Sequence, residues 1–173
     1  MAFGLANARG RSPGIADIFG ALYRFINDDM ALDLTSFEKA VVSLEEALQA
    51  HAVVKDSAAG EFLRDAVIKR FEYTFELSWK FLKRYIEVYG LEWPDGFTHK
   101  ELFRVGFEQG MIRDSAPWFE YLKKRNLTSY MYDKNVAEVV FRSAAPFLPG
   151  RSRRESERRV GIVLRGVDSG RVP

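Results

Sequence analysis

Two short stretches concentrate the side chains that could do chemistry. The first is Arg70-Phe71-Glu72-Tyr73-Thr74-Phe75-Glu76-Leu77-Ser78-Trp79-Lys80. On a helix, Glu72 and Glu76 are one turn apart and share a face. Two carboxylates so placed can perform acid–base work, bind a cation, or meet arginines from another helix. They can equally be structural, with Glu76 paired to Lys80 and Glu72 to Arg125 or another cation. The second stretch is Arg125-Asn126-Leu127-Thr128-Ser129-Tyr130-Met131-Tyr132-Asp133. If it stays helical, Arg125, Ser129 and Tyr132 share a face and Asn126 lies over Tyr130. That set can hold a phosphate or a nucleotide, because arginine offers a planar bidentate fork. It can also be a polar helix end capped by Asn, Thr and Ser.

Other chemistries have little to work with. Cysteine is absent, which removes thiol catalysis, disulfide frameworks and cysteine-ligated zinc. His51 and His99 lie far apart without metal-ligand spacing, so neither a metal nor a cofactor is expected. A Gly-Ser-x-x-Asp-x-Asp arrangement to hold triphosphate and metal is also missing, so nucleotidyl transfer is not assigned to this chain.

The elements that must position these residues read as helices. Thr35-x-x-Glu38 is a capping box. Phe37, Val41, Leu44 and Leu48 follow at helical spacing, and the helix is expected to end near His51. Val53 to Gly60 reads as a connection. A long helix then runs from about Glu61 to Tyr89, with Gly90 as its cap. Phe71, Phe75, Leu82, Ile86 and Tyr89 form one stripe, Tyr73, Leu77 and Phe81 another, and Trp79 widens the apolar girth. A helix apolar over so much of its circumference is central in a bundle or buried in an oligomer, and an interface is expected to cover part of it. Trp93-Pro94-Asp95-Gly96 is a turn. Thr98-x-x-Glu101 is a second capping box, with Phe97 and Leu102 as a hydrophobic staple, before a short helix ending at Gly110. Asp114 or Ser115 caps the next helix, which has Pro117 in its first turn and Trp118, Leu122 and Arg125 on one face. Asp133 caps a last helix with Val136, Val140, Ala144 and Phe147 inward, and Pro146, Pro149 and Gly150 stop it. No strand pattern appears. The expected class is all-α, an up-and-down bundle of four to five helices.

The ends differ from this middle. The 173 residues point to one domain. Residues 1–29 hold several glycines and a proline without sustained periodicity and read as a flexible or misassigned extension, with Met30 as the expected start. Residues 30–148 form the helical domain. Residues 149–173 form an Arg-rich tail that is expected to be disordered, or else an arm that touches RNA phosphates. Within 151–173, seven arginines against Glu155, Glu157 and Asp168 give +4, which leaves −2 on the rest of a chain whose net charge is +2. The basic pI therefore belongs to the tail and does not make the bundle a nucleic-acid surface. No apolar run is long enough to cross a bilayer, and Asp17 and Arg24 interrupt the only apolar stretch near the start, so the expected location is cytoplasmic.

Taken together, the Arg70–Lys80 string, the short capped helix ending in Gly110, and Arg-Asn-Leu-Thr-Ser-x-x-Tyr-Asp resemble the nucleotidyltransferase substrate-binding protein family over roughly Leu32 to Phe147. That family is similar in fold to the helical C-terminal domain of kanamycin nucleotidyltransferase and belongs to the broader HEPN group. The resemblance implies a helical homodimer that joins a separate, minimal nucleotidyltransferase subunit, in some members within a toxin–antitoxin-like module, with nucleotide or RNA as ligand. HEPN ribonucleases carry an Arg, four to six residues, then His, often followed by x-Tyr. Here Arg125 matches the Arg, Asn126 the polar residue after it, and Tyr132 the trailing Tyr. Tyr130 stands where the His is usual. A general base for RNA cleavage needs a pKa near neutrality, which histidine supplies, whereas tyrosine ordinarily titrates near ~10. Ribonuclease action through Arg125 and Tyr130 is thus the alternative function. The resemblance also makes Tyr132 a candidate for nucleotide modification by the partner enzyme. The pocket implied by all this comprises Glu72, Glu76, Arg125, Asn126, Ser129 and Tyr132, in one subunit or across two.

Overall fold

The computed structural model describes residues 35–55, 57–89 and 94–148. Within them are five α-helices: α1 Thr35–Val54, α2 Ala58–Tyr89, α3 His99–Glu108, α4 Ala116–Leu127 and α5 Lys134–Phe147. A single 3-10 turn, Thr128–Tyr130, separates α4 from α5. No strand occurs among the described residues, and the class is all-α, a helical bundle. The expected N-terminal extension, the Arg-rich tail, Gly90 as a cap and Trp93 of the turn lie outside the described residues, as does the residue preceding α1.

α2 is the axis of the bundle, packed against α1, α3, α4 and α5. Its stripe does what the spacing requires: Phe71, Phe75, Leu82 and Ile86 are fully buried. Around Phe75 gather Phe71, Phe103, Trp118 and Phe147, all with ring centroids between 6.0 and 6.4 Å away. These tilted and edge-on arrangements suit aromatic quadrupoles better than parallel stacking. The second stripe is half-buried, and Leu77, Trp79 and Phe81 pack on the same core, with Phe81 against Phe37 at 5.4 Å. Neighbouring helices of this chain therefore take up part of the girth for which an interface was expected.

Polar residues inside α2 are bonded locally. The Thr74 hydroxyl donates to Arg70 O at 2.7 Å, and that of Ser78 to Phe75 O at 2.7 Å. Arg70 Nε donates to Ser43 Oγ at 3.0 Å and so ties α2 to α1. Much of the Arg70–Lys80 string is accounted for by packing and by these bonds.

Several boundaries differ from the spacing. α1 continues past His51 to Val54, and His51 meets Phe141 of α5 with ring centroids 4.5 Å apart and planes tilted by 49°. α2 begins at Ala58, so the connection shrinks to a tight turn in which Ser57 N bonds Val54 O at 3.0 Å. Pro146 does not stop α5 but sits in its last turn. A proline there removes only one ladder bond, and the Pro146 carbonyl, one of the orphans of a helix end, accepts the Tyr121 hydroxyl at 3.0 Å.

The caps read at Thr98, Asp114 and Asp133 are present, while Thr35, read as a cap, is the first residue of α1. At α3, Thr98 and Glu101 form the reciprocal box. At α5, Asp133 accepts from the amides of Asn135 and Val136. At α4, Asp114 accepts from Ala116 N at 2.9 Å, while Ser115 makes no side-chain cap bond. Gly110 ends the α3 segment with φ +72°, a conformation that costs glycine little. Gly106 marks a close approach of α3 to α2, since a Cβ there would lie 3.0 Å from the Leu82 methyls.

Candidate functional site

The two chemistry-bearing stretches meet at one point. Arg125, in the last turn of α4, places Nε 2.6 Å from Glu76 Oε1 of α2. The Nε–H is not directed at that oxygen, so the contact is charge pairing rather than an aligned hydrogen bond. The other carboxylate oxygen, Glu76 Oε2, accepts from Trp79 Nε1 at 3.0 Å. One carboxylate thus bridges a guanidinium and an indole, with the Arg125 and Glu76 side chains 35% and 25% exposed. At that exposure the charges keep some hydration, and the pair remains open to competition from an incoming anion.

Glu72 pairs with another cation, Lys69 at 2.9 Å, and not with Arg125. The pairing considered for Glu76 is corrected, because its cation is Arg125 rather than Lys80, whose ammonium lies 5.8 Å over the Trp79 ring. A helical face shared by Arg125, Ser129 and Tyr132 does not form as such, because α4 stops at Leu127 and the chain tightens into the 3-10 turn. The physical reason is local: Thr128 Oγ1 donates back to Arg125 O at 2.8 Å and offers the backbone an alternative to the helix ladder. Asn126, Ser129, Tyr130 and Tyr132 are all exposed. Arg125 Nη1 reaches Asn126 Oδ1 only at 3.5 Å. Tyr130 and Tyr132 meet edge to face at 6.4 Å, with Tyr132 86% exposed. The bundle therefore brings Glu76 and Arg125 together and presents a pair of phenols to solvent beyond the same helix end.

Trp79 and His99 belong to this neighbourhood, although the sequence reading gave them no chemical role. Trp79 stands one turn beyond Glu76, a spacing at which an indole N–H reaches a carboxylate, and it meets His99 edge-on at 4.6 Å. Among the described residues no group of three or more His, Cys, Asp or Glu is placed to hold a metal ion. No described helix is long and apolar enough to cross a membrane.

Residues 32–157 match the family described as nucleotidyltransferase substrate binding protein like. The match runs into the Arg-rich segment that the sequence reading left outside the resemblance. The chain is 28% identical over 124 residues to the Haemophilus influenzae protein named Probable ribonuclease HepT, covering 68% of this chain and 85% of that one. Among solved structures, HI0074 from Haemophilus influenzae is similar with a TM-score of 0.59 and 25% identity, covering 67% of this chain and 96% of that one. That structure was described as revealing the fold of a substrate binding domain of a nucleotidyltransferase. A Thermus thermophilus protein is similar with a TM-score of 0.54 and 33% identity, covering 73% of this chain and 98% of that one. With its two motifs joined through Glu76 and Arg125 and its family matched over most of its length, this chain belongs to the nucleotidyltransferase substrate-binding protein-like family.

Proposed function

We propose that this chain is a noncatalytic substrate-binding or regulatory subunit, acting as a cytoplasmic homodimer beside a separate minimal nucleotidyltransferase. Nucleotidyl transfer belongs to the partner chain. The observation that carries the reading is the Glu76–Arg125 pair, which anchors the Arg125–Tyr132 segment against the central helix. A guanidinium held by one carboxylate keeps donors for a phosphate. The exposed phenol of Tyr132 lies a few residues further along, where a partner's active site can reach it. In this reading the pocket is formed by Glu76, Arg125, Asn126, Ser129 and Tyr132, with Glu72 at its edge, and a toxin–antitoxin-like module is its setting.

Tyr132 is the proposed acceptor. Its phenol oxygen attacks the α-phosphorus of ATP bound to the partner, pyrophosphate leaves, the phenol proton passes to solvent, and Arg125 steadies the phosphate charge. Intact-mass measurement after incubation with ATP and the nucleotidyltransferase encoded beside this chain tests it. One or more adenylyl groups on wild type and none on Tyr132→Phe is the expected result. An unmodified wild type, or modification that persists in Tyr132→Phe, contradicts it.

The name of the Haemophilus relative supports a second reading, a metal-independent endoribonuclease using Arg125 and Tyr130. Tyrosine in place of the usual imidazole speaks against it. RNA cleavage by wild type that is lost in Arg125→Ala would favour it over the first.

A further inference from the structure

A second feature adjoins the Glu76–Arg125 pair. Between α2 and the segment leading into α3 lies a cleft of about 190 Å³ lined by Trp79, Lys83, Pro94, Phe97, His99 and Leu102. Its shape follows from local devices. Phe97 N bonds Pro94 O at 3.1 Å, closing the turn that brings Phe97 over the bundle. The Thr98–Glu101 box starts α3 so that His99, its first residue, meets Trp79. Lys83 is held by Asp95 at 3.0 Å and Glu87 at 3.7 Å, so its charge is already balanced.

We infer that this cleft receives the nucleobase of a nucleotide whose phosphate is met by Arg125. The inference rests on the reading of Arg125 as a phosphate-facing cation. Three observations commit it to that occupant. The lining supplies three planar rings, Trp79, Phe97 and His99, which suit a flat heterocycle. The volume falls below the ~300–1,000 Å³ usual for a whole drug-sized ligand, so a single ring system enters while sugar and phosphate stay outside. Of the cations near Trp79, Lys80 lies over the indole face and Lys83 already faces two carboxylates, whereas Arg125 shares Glu76 with Trp79 and, beyond a long 3.5 Å contact from Nη1 to Asn126, keeps further guanidinium donors for a phosphate. Glu76 links the two subsites directly, with one oxygen on the Trp79 indole and the other on Arg125.

The test uses the full chain labelled with ¹⁵N, titrated with adenosine, AMP and the RNA tetranucleotide of adenylate. The readout is the Trp79 indole N–H resonance, assigned by its loss in Trp79→Phe. Adenosine and AMP are expected to shift it, and His99→Ala and Phe97→Ala each to weaken both ligands about ten-fold, the scale of lost base stacking. Arg125→Ala should reduce AMP to the affinity of adenosine and leave adenosine unchanged. AMP binding tighter than the tetranucleotide marks a free nucleotide as the source, and the reverse order marks an RNA strand. A stationary Trp79 resonance, with AMP affinity that depends on Arg125 but survives His99→Ala and Phe97→Ala, overturns the cleft and spares the Arg125 reading. Adenosine binding at Trp79 with AMP no tighter supports the cleft and counts against the Arg125 reading. Failure of both ligands to bind at millimolar concentration overturns the inference.

Discussion

The aromatic centre of the bundle and the segment from Arg125 to Tyr132 use similar residues to opposite ends. Around Phe75, aromatic rings from four helices are buried without exposure and fix one another's positions. At Tyr130 and Tyr132, two rings meet edge to face at 6.4 Å and are 52% and 86% exposed, on a turn between the paired Arg125 and Lys134. The first region is held by packing and has no spare chemistry. The second offers hydroxyl groups and gains almost nothing from packing. Ion pairs to the rigid helix bracket the exposed segment, Arg125 with Glu76 before it and Lys134 with Glu61 after it.

Substitutions break this contrast in a graded order. Phe75→Ala should cost about 3–5 kcal/mol, since it removes a ring from a site whose neighbours cannot collapse into the gap; denaturant midpoints measure it. Thr98→Ala should cost about 1 kcal/mol by removing the α3 cap, and it should also loosen the cleft beside His99. The Glu76–Arg125 pair should show a coupling of about 1 kcal/mol in a double-mutant cycle of Glu76→Gln and Arg125→Ala, falling with added salt, because both side chains are partly hydrated. Tyr132→Phe should leave stability within about 0.5 kcal/mol of wild type, so any loss of modification in that variant reports chemistry rather than folding.

Acid titration sharpens the comparison at a fifth position. Glu101 accepts from the Thr98 backbone N–H and then from its hydroxyl, and these bonds hold its carboxyl below the usual glutamate range. A folded-state value below the unfolded one means that the unfolded chain takes up the proton first as pH falls. The contribution is therefore complete above the ordinary glutamate pKa and is lost as pH drops through the lowered one. Glu101→Gln should remove that part of the acid sensitivity, as read by unfolding curves across that interval.

How much of this was legible depended on distance along the chain. The caps at Thr98 and Asp133 and the inward stripe of α2 were readable because each is set by residues within a turn or two. The partner of Glu76 was not, since the one-turn spacing points to Lys80 while only the α2–α4 packing brings Arg125 within reach. The break after Leu127 hid behind a helical pattern that continues in sequence while Thr128 bonds back to Arg125. Pro146 misled in the other direction: a proline in a final turn loses one bond, and Tyr121 supplies a partner for its carbonyl from another helix. Trp79 was counted as apolar girth because its hydrogen bond to Glu76 and its contact with His99 need, respectively, a rotamer and a second helix.

Co-expression with any nucleotidyltransferase encoded next to this chain, followed by mass measurement of the purified assembly, is the decisive measurement for a bundle proposed to serve a separate catalytic subunit. A defined complex containing both chains, with two copies of this one, is expected. Elution of this chain by itself, while the folded nucleotidyltransferase passes through unbound, would contradict it.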